Sequence, residues 1–283
     1  MPDFRINNML FPGGKRKALT LSYDDGVIQD RRLTEMLDRY GIRATFNLNS
    51  AFLGRVERAV MEGVDTDIST VLPEEVGTLY KNHEVSTHGS RHSSPVDSGS
   101  SFLREVMDDR EALEALVPYM VTGHAYPFGL TDEKVIAMLR AAGIAYARTV
   151  ISTHSFDLPG NFLRWDPTCH HDDPRLMELA EDFCTREARF GRPQLFYLWG
   201  HSYEFDIHGN WERMESFLAY VSGYRDSIWM ATNGEICAYL SAWDRLIFSA
   251  DGKRAYNPSA GELWIDASGR ICRIPSGETA EIG

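Results

Sequence analysis

The chain alternates between short runs of consecutive apolar residues and longer stretches in which apolar residues recur every three or four positions. KALTLSY (residues 17–23) reads as a buried strand. VIQDRRLTEMLDRYG follows with helical spacing, placing Leu33, Met36, Leu37 and Tyr40 on one face and Gly41 at the stop. IRATFNLN is the next strand. TVLPEEVGTLYKNH is a helix opened by Pro73, with Glu74 and Glu75 in its first turn, and HEVSTH is a short strand. SFLREVMDDREALEALV is a helix, and YMVTGHA a strand that runs into the Pro/Gly turn YPFG. TDEKVIAMLRAAG is a helix with Thr131 as N-cap and Gly143 as C-cap. IAYARTV and NFLRW read as strands, PRLMELAEDFCTREARFG as a helix and QLFYLWGHS as an apolar strand. The helix WERMESFLAYVSG, the strand DSIWMAT and the helix NGEICAYLSAW complete the series.

Strand–helix units therefore repeat seven or eight times. Near-continuous apolar strands of this kind are covered on both faces, as in a parallel sheet. With so many units, closure into a barrel is expected over an open sheet. From residue 243 the pattern changes to short strands separated by DGK, NPSAG and ASG turns. The expected organisation is a (β/α) barrel over residues 1–242 and a small β-hairpin appendage over residues 243–283 packed on it.

Composition adds exclusions. The formal net charge of −12 argues against a nucleic-acid partner, which would require a basic patch. The first residues contain no apolar stretch long enough for a signal peptide or a membrane span, so a cytoplasmic protein without a membrane partner is expected. Cys169, Cys184, Cys237 and Cys272 are widely spaced with no CxxC pair, which reads as buried, reduced thiols.

The ends of the expected strands carry the chemistry. Asp24 and Asp25 follow the first, His88 and His92 the third, and Tyr126-Pro127-Phe128-Gly129 the fourth. Arg164-Trp165-Asp166 lies around the sixth, and His201 ends the seventh. In a parallel barrel these ends converge on one face, where active sites are built. Adjacent strand residues point to opposite faces, so Asp24 and Asp25 need not share one role. An HxxxH pair with one carboxylate is a three-ligand zinc arrangement that leaves a position open for water, and the same set suits iron(II) and other divalent ions.

LSYDDG resembles the TFDDG motif of the polysaccharide deacetylases, carbohydrate esterase family four. HGSRH resembles their H[S/T]xxH motif, AYPFG their RxPxG, LRWDP in part their fourth motif, and LWGH their LxxH. The motifs keep the family's order, and the resemblance runs from residue 17 to about 240. It implies an α/β fold, a distorted, TIM-like (β/α) barrel of seven or so strands. Asp24 matches the general base and His201 the general acid. Asp25, His88 and His92 match the ligands of a divalent metal, zinc first, with cobalt, nickel or iron as alternatives. Tyr126, Pro127 and Phe128 would line the site, with a backbone N–H at Phe128 for the oxyanion, and Trp165 would wall the acyl pocket. The implied activity is metal-dependent removal of an acyl group, most simply acetyl, from an N-acylated sugar. The alternatives are hydrolysis of cyclic amides or ureides on the same scaffold, and an inactive carbohydrate-binding protein. The substrate is a small molecule or an oligosaccharide, and the sequence leaves the oligomeric state open.

Three departures from the family pattern matter. Ala125 stands where the third motif has the arginine that orients the catalytic aspartate, and Arg148 and Arg164 are the candidates to replace it. Gly89 stands for the Ser/Thr of the second motif, so the metal loop needs another brace. The fourth motif lacks its usual acidic spacing, which leaves Glu204 and Asp206 as candidates to orient His201. His170 and His171 read as a solvated loop, with substrate contact as the alternative, and Phe196, Tyr197 and Trp199 as barrel packing.

Overall fold

The computed structural model describes residues 8–187 and 191–283. Its first half contains β1 (Met9–Leu10), β2 (Lys17–Asp24), α1 (Asp30–Tyr40), β3 (Thr45–Leu48), β4 (Arg58–Met61), β5 (Val64–Asp67), α2 (Pro73–Leu79), β6 (Glu84–Thr87), α3 (Ser100–Glu114), β7 (Gly123–Ala125), α4 (Glu133–Ala141) and β8 (Tyr146–Arg148). Then come β9 (Cys169–His170), α5 (Leu176–Thr185), β10 (Gln194–His201), α6 (Glu204–His208), α7 (Trp211–Ser222), β11 (Ile228–Met230) and α8 (Asn233–Trp243). Five short strands end the chain, β12 (Ile247–Phe248), β13 (Arg254–Tyr256), β14 (Leu263–Ala267), β15 (Arg270–Ile274) and β16 (Thr279–Glu281).

The central sheet is parallel and curled, in the order β8-β7-β6-β3-β2-β10-β9, with β11 beside the first half of β2. Seven of the eight residues of β2 are buried, as its unbroken run KALTLSYD requires. Trp165 bridges Arg148 in parallel, and Cys169–His170 pair with β10. The segment 165–170 thus spans the gap between the two sheet edges. The helices bury one face each, as in α1, whose Leu33, Met36 and Leu37 are buried and whose C-cap Gly41 adopts the left-handed conformation.

Register places the chemistry. His201 pairs with Asp24, Asp24 with Asn47, and Ala125 with Arg148. All sit at the C-terminal ends of their strands. The start of α8 closes the opposite end: Thr20 Oγ1 donates to Asn233 Oδ1 (2.7 Å), Asn233 Nδ2 donates to Tyr197 Oη (2.6 Å), and the Gly234 N–H donates to Glu84 (2.8 Å). Buried polar groups are thereby satisfied at the floor, leaving the other face for the site.

Several expectations are corrected. NFLRW is a 3-10 turn at Phe162–Arg164 and then a single bridge at Trp165, not a strand. The N-cap of α4 is Asp132, whose side chain accepts from the Val135 N–H, and not Thr131. The helix expected over PRLMELAEDFCTREARFG ends at Thr185, with Arg186 extended, and residues 188–190 lie outside the described residues. The hairpin β4–β5 and the short α6 were not expected. The hairpin's signal was Glu62-Gly63, which both take positive φ (52° and 81°) in a two-residue turn. At the C-terminus, β14 and β15 form a sheet with the N-terminal β1, and β12, β13 and β16 form another. Phe11, Tyr239, Trp243, Leu263, Ile265 and Ile274 share one core. All four cysteines are free and buried.

Candidate active site

The site assembles around Asp24, buried at the end of β2. Its Oδ1 accepts from Asn47 Nδ2 (2.7 Å), the cross-strand neighbour on β3. Its Oδ2 accepts from the Arg148 guanidinium and lies 3.8 Å from His88 Nε2 and 3.9 Å from His201 Nε2. Burial alone pushes the Asp24 carboxyl up, but Arg148, His88 and His201 together outweigh it and hold the group at about 2. Asp24 is therefore a carboxylate at neutral pH, held at both oxygens.

Arg148 comes from the strand next to Ala125 and pairs with it directly in the parallel register. Side chains at such paired positions point to the same side of the sheet, so an arginine on β8 reaches the place one on β7 would occupy. Arg148 is 1% exposed, lies over the Trp199 ring at 4.5 Å, and also donates to its neighbour Thr149's carbonyl (3.0 Å). Arg164 is exposed on the 3-10 turn and makes no ion pair with Asp24.

Asp25, one residue on, takes φ +77°. That conformation is costly for a non-glycine residue and breaks the strand's alternation, so both carboxylates come within 4 Å of His88 Nε2. Asp25 Oδ1 lies 3.7 Å from His88 Nε2 and 4.0 Å from His92 Nε2. His92 also has a positive φ, 55°. His88 Nδ1 sits 2.9 Å from the Ala125 carbonyl, which can only accept, so Nδ1 carries the proton and the Nε2 lone pair faces Asp25. Three donor atoms thus converge from Asp25, His88 and His92. The ligand types, their convergence and the fixed His88 tautomer fit a divalent metal.

The loop holding the histidines is braced without the hydroxyl that Gly89 lacks. Glu105 of α3 accepts from the Arg91 and Ser93 N–H groups (2.9 and 3.1 Å), and Asn49 Nδ2 donates to the His88 and Gly89 carbonyls (3.0 and 2.6 Å). Gly89 has φ +76°, and a Cβ there would stand 3.1 Å from Glu105 Oε1, so glycine suits both the turn and the brace. Asp109 accepts from the His88 and Ser50 N–H groups (3.1 and 2.8 Å), and burial pushes its carboxyl up to about 7.

His201 ends β10 with its Nε2 toward Asp24 and its Nδ1 3.2 Å from Glu204 Oε1. Burial lowers the imidazolium's pKa, but Glu204, Asp25 and Asp24 outweigh burial and raise it to about 9. Glu204 is the carboxylate beside His201. Asp206 instead accepts from Gln29 and Trp211 (2.9 and 2.7 Å).

Two expected cleft residues lie elsewhere. Tyr126 is 1% exposed, donates its hydroxyl to the Leu163 carbonyl (2.6 Å) and packs in a core with Phe102 and Val135. Trp165 is 2% exposed, edge-on to Tyr146, Phe162 and Tyr197. Both are core residues because their strands turn them inward, away from the mouth. Phe128 is 61% exposed, takes φ +58° and packs edge-on against His92 (4.6 Å), with Pro127 buried behind it. His171 is fully buried, not solvated. The open cleft next to Asp25 and His92 has a volume of about 200 Å³ and is lined by Phe52, Arg55, Met61 and Tyr203, which the sequence motifs did not single out. Arg55 and Met61 come from the unexpected hairpin and the loop before it.

The polysaccharide deacetylase family model matches residues 12–147. No curated protein matches the sequence. Among solved structures, a putative polysaccharide deacetylase from Mycobacterium smegmatis is 16% identical, with TM-score 0.61, over 84% of this chain and 94% of that one. A family 4 carbohydrate esterase from Streptomyces lividans, in complex with acetate, is 11% identical, with TM-score 0.48, over 77% and 93%. The first of these shares the fold. Among the described residues, no helix is long and apolar enough to cross a membrane. Residues 12–147, which carry Asp24, Asp25, His88 and His92, match the polysaccharide deacetylase family, and the chain shares the fold of one such structure over 84% of its length.

Proposed function

We propose that this protein is a hydrolase that removes an acyl group, acetyl in the simplest case, from the nitrogen of a small N-acylated sugar. The observation that carries the reading is Asp24: an anionic, doubly held carboxylate set between His88 and His201, beside a converging Asp25–His88–His92 donor set.

Asp25, His88 and His92 would hold a divalent cation, which when bound polarises an acyl carbonyl and lowers the pKa of water to about 7. The protein's own residues supply the rest. Asp24 accepts the proton of the attacking water, and Arg148 and Asn47 keep its carboxylate aimed during the transfer. His201, cationic at neutral pH, gives a proton to the departing nitrogen, which is too basic to leave as an anion. The turn at Phe128 offers a backbone N–H to the developing oxyanion. Each acid–base step contributes around 10²–10⁴-fold. The cleft beside Asp25 and His92 has room for an acyl group, and a small cyclic ureide is the second candidate.

The test is a screen of N-acetylated monosaccharides, chito-oligosaccharides and cyclic ureides with zinc, cobalt or nickel, with Asp24→Asn as the inactive control. Acetate release from an acetylated sugar, lost in Asp24→Asn and on chelation, is expected. Turnover of ureides alone overturns the deacetylase reading, and activity equal in Asp24→Asn overturns the role of Asp24.

A further inference from the structure

A second group of converging donors lies beside the first, formed by His170, His171 and Asp172 after β9 and by Glu204 at the start of α6. The ring of His171 lies on Phe205 (centroids 4.2 Å, planes 27° apart) and faces Tyr23 (5.7 Å, 19°). Its Nδ1 is pressed onto Gly200, where a Cβ would stand only 2.0 Å away. The ring therefore cannot turn, and its Nε2 is fixed toward two carboxylates, 3.2 Å from Glu204 Oε2 and 3.4 Å from Asp172 Oδ2.

Those approaches are close, yet neither has hydrogen-bond geometry: both ring nitrogens of His171 are buried without a hydrogen-bond partner. A fully buried imidazole that faces two carboxylates without a hydrogen bond to either calls for an explanation, and an ion between them is one of the few available. The spacing points the same way. A tetrahedral cage with bonds of 2.0–2.1 Å has edges of about 3.3 Å. The two separations match that edge, and they are tighter than the 3.7 and 4.0 Å between Asp25 and its histidines.

The neighbouring contacts leave His171 and Asp172 free to bind, and Glu204 would exchange its contact with His170 for the ion. Asp172 Oδ1 accepts from Asn210 Nδ2 (2.7 Å), and its Oδ2 meets His208 Nδ1 (2.7 Å) with a second lone pair to spare. Glu204 Oε2 accepts the His201 N–H (3.0 Å). His170 Nδ1 accepts the Asp172 N–H (3.2 Å), so its Nε2 carries the proton. That nitrogen, 3.1 Å from Glu204, faces the carboxylate as a proton-bearing group and not as a ligand.

We propose that His171 Nε2, Asp172 and Glu204 form a second divalent-cation site, of the zinc class, separate from the Asp25–His88–His92 set. Glu204 faces this site with Oε2 and His201 Nδ1 with Oε1. The ion would therefore fix the carboxylate that orients His201. Its role is positional, and it does not depend on which substrate the enzyme takes.

The experiment counts metal on the full chain. Protein stripped by a chelator is dialysed against zinc, and bound zinc is measured by inductively coupled plasma mass spectrometry. Two equivalents are expected for the unaltered protein and one for Asp25→Asn/His92→Asn. Adding Asp172→Asn, a nearly isosteric change, should remove the remaining equivalent, while adding His170→Asn should keep it. A zinc-dependent rise in Tm of Asp25→Asn/His92→Asn, absent once Asp172→Asn is added, is the independent readout. The proposal is overturned if Asp25→Asn/His92→Asn binds no zinc, or if the triple variant with Asp172→Asn still binds one. Matching zinc-free melting curves show that each variant is folded.

Discussion

Replacing Arg148 by alanine tests the relocation of the orienting arginine. Arg148 is 1% exposed and donates to a buried Asp24. The shift of the Asp24 carboxyl from 3.8 to about 2 corresponds to about 2.4 kcal/mol in favour of the carboxylate. Without Arg148, burial is no longer outweighed, the carboxyl rises toward or above its ordinary value, and one oxygen loses its partner. Breaking a buried pair from one side costs about 3–5 kcal/mol of stability. With its base no longer held, the enzyme should lose about 10²–10⁴-fold in kcat/KM, the contribution of a positioned base. The assay is acetate release from an N-acetylated sugar, together with zinc content, which should not change because Asp25, His88 and His92 are intact. Because Ala125 pairs with Arg148, Ala125→Arg combined with Arg148→Ala should recover at least about tenfold of the loss. Arg148→Ala with kcat/KM within about threefold of the unaltered enzyme would refute the reasoning.

Other expectations follow from single contacts. Asp25→Asn or His92→Ala should remove the zinc of the first site and abolish acetate release, and full zinc content in either variant refutes the ligand assignment. Gly200→Ala drives a Cβ to within 2.0 Å of His171 Nδ1, an overpacking worth about 1–3 kcal/mol, so Tm should fall by several degrees in scanning fluorimetry; an unchanged Tm refutes that tight approach. His83 is buried, with Nε2 3.5 Å from Asp38, Arg43 nearby and its ring edge-on to Phe46, and burial lowers its pKa from 6.5 to about 4. Its folded-state pKa is depressed, so the unfolded chain takes the proton first as pH falls. Stability is therefore lost between pH 6.5 and 4, by up to about 3 kcal/mol from this group. Urea unfolding of His83→Gln should show that much less acid sensitivity, and an identical pH slope counts against the assignment.

The residues differ in how far their roles could be read locally. The strands, the helices and most of the chemistry at the strand ends follow from short-range pattern. An apolar run such as KALTLSY can be stable only when covered, and a parallel strand end is where Asp24, Asp25, His88, His92 and His201 converge. Residues whose role depends on which strand lies beside which could not be assigned this way. Arg148 is 124 positions from Asp24, and only the β7–β8 register shows that it stands next to Ala125, while the equally basic Arg164 faces solvent. Asn47 reaches Asp24 because β3 pairs with β2. Glu204, three residues from His201, was a candidate in the sequence, and the start of α6 turns it, and not Asp206, toward the ring. Trp165 and Tyr126 sit in strand-end motifs, yet their side chains face the core. The direction of a side chain at a strand end depends on local φ, ψ and on the curl of the sheet, and neither is fixed by residue type.

Left to itself, the sequence determined a curled parallel α/β sheet, the carboxylates and histidines at its strand ends, and the absence of the third-motif arginine. Only the tertiary structure decided what replaces that arginine, what braces the Gly89 loop, which carboxylate serves His201, and that His171 is locked in the interior. The physical reason is that hydrophobic period is a local property of the chain, whereas register, side-chain direction and burial arise when separate segments pack together, 124 positions apart for Arg148 and Asp24 and 29 for Gly200 and His171.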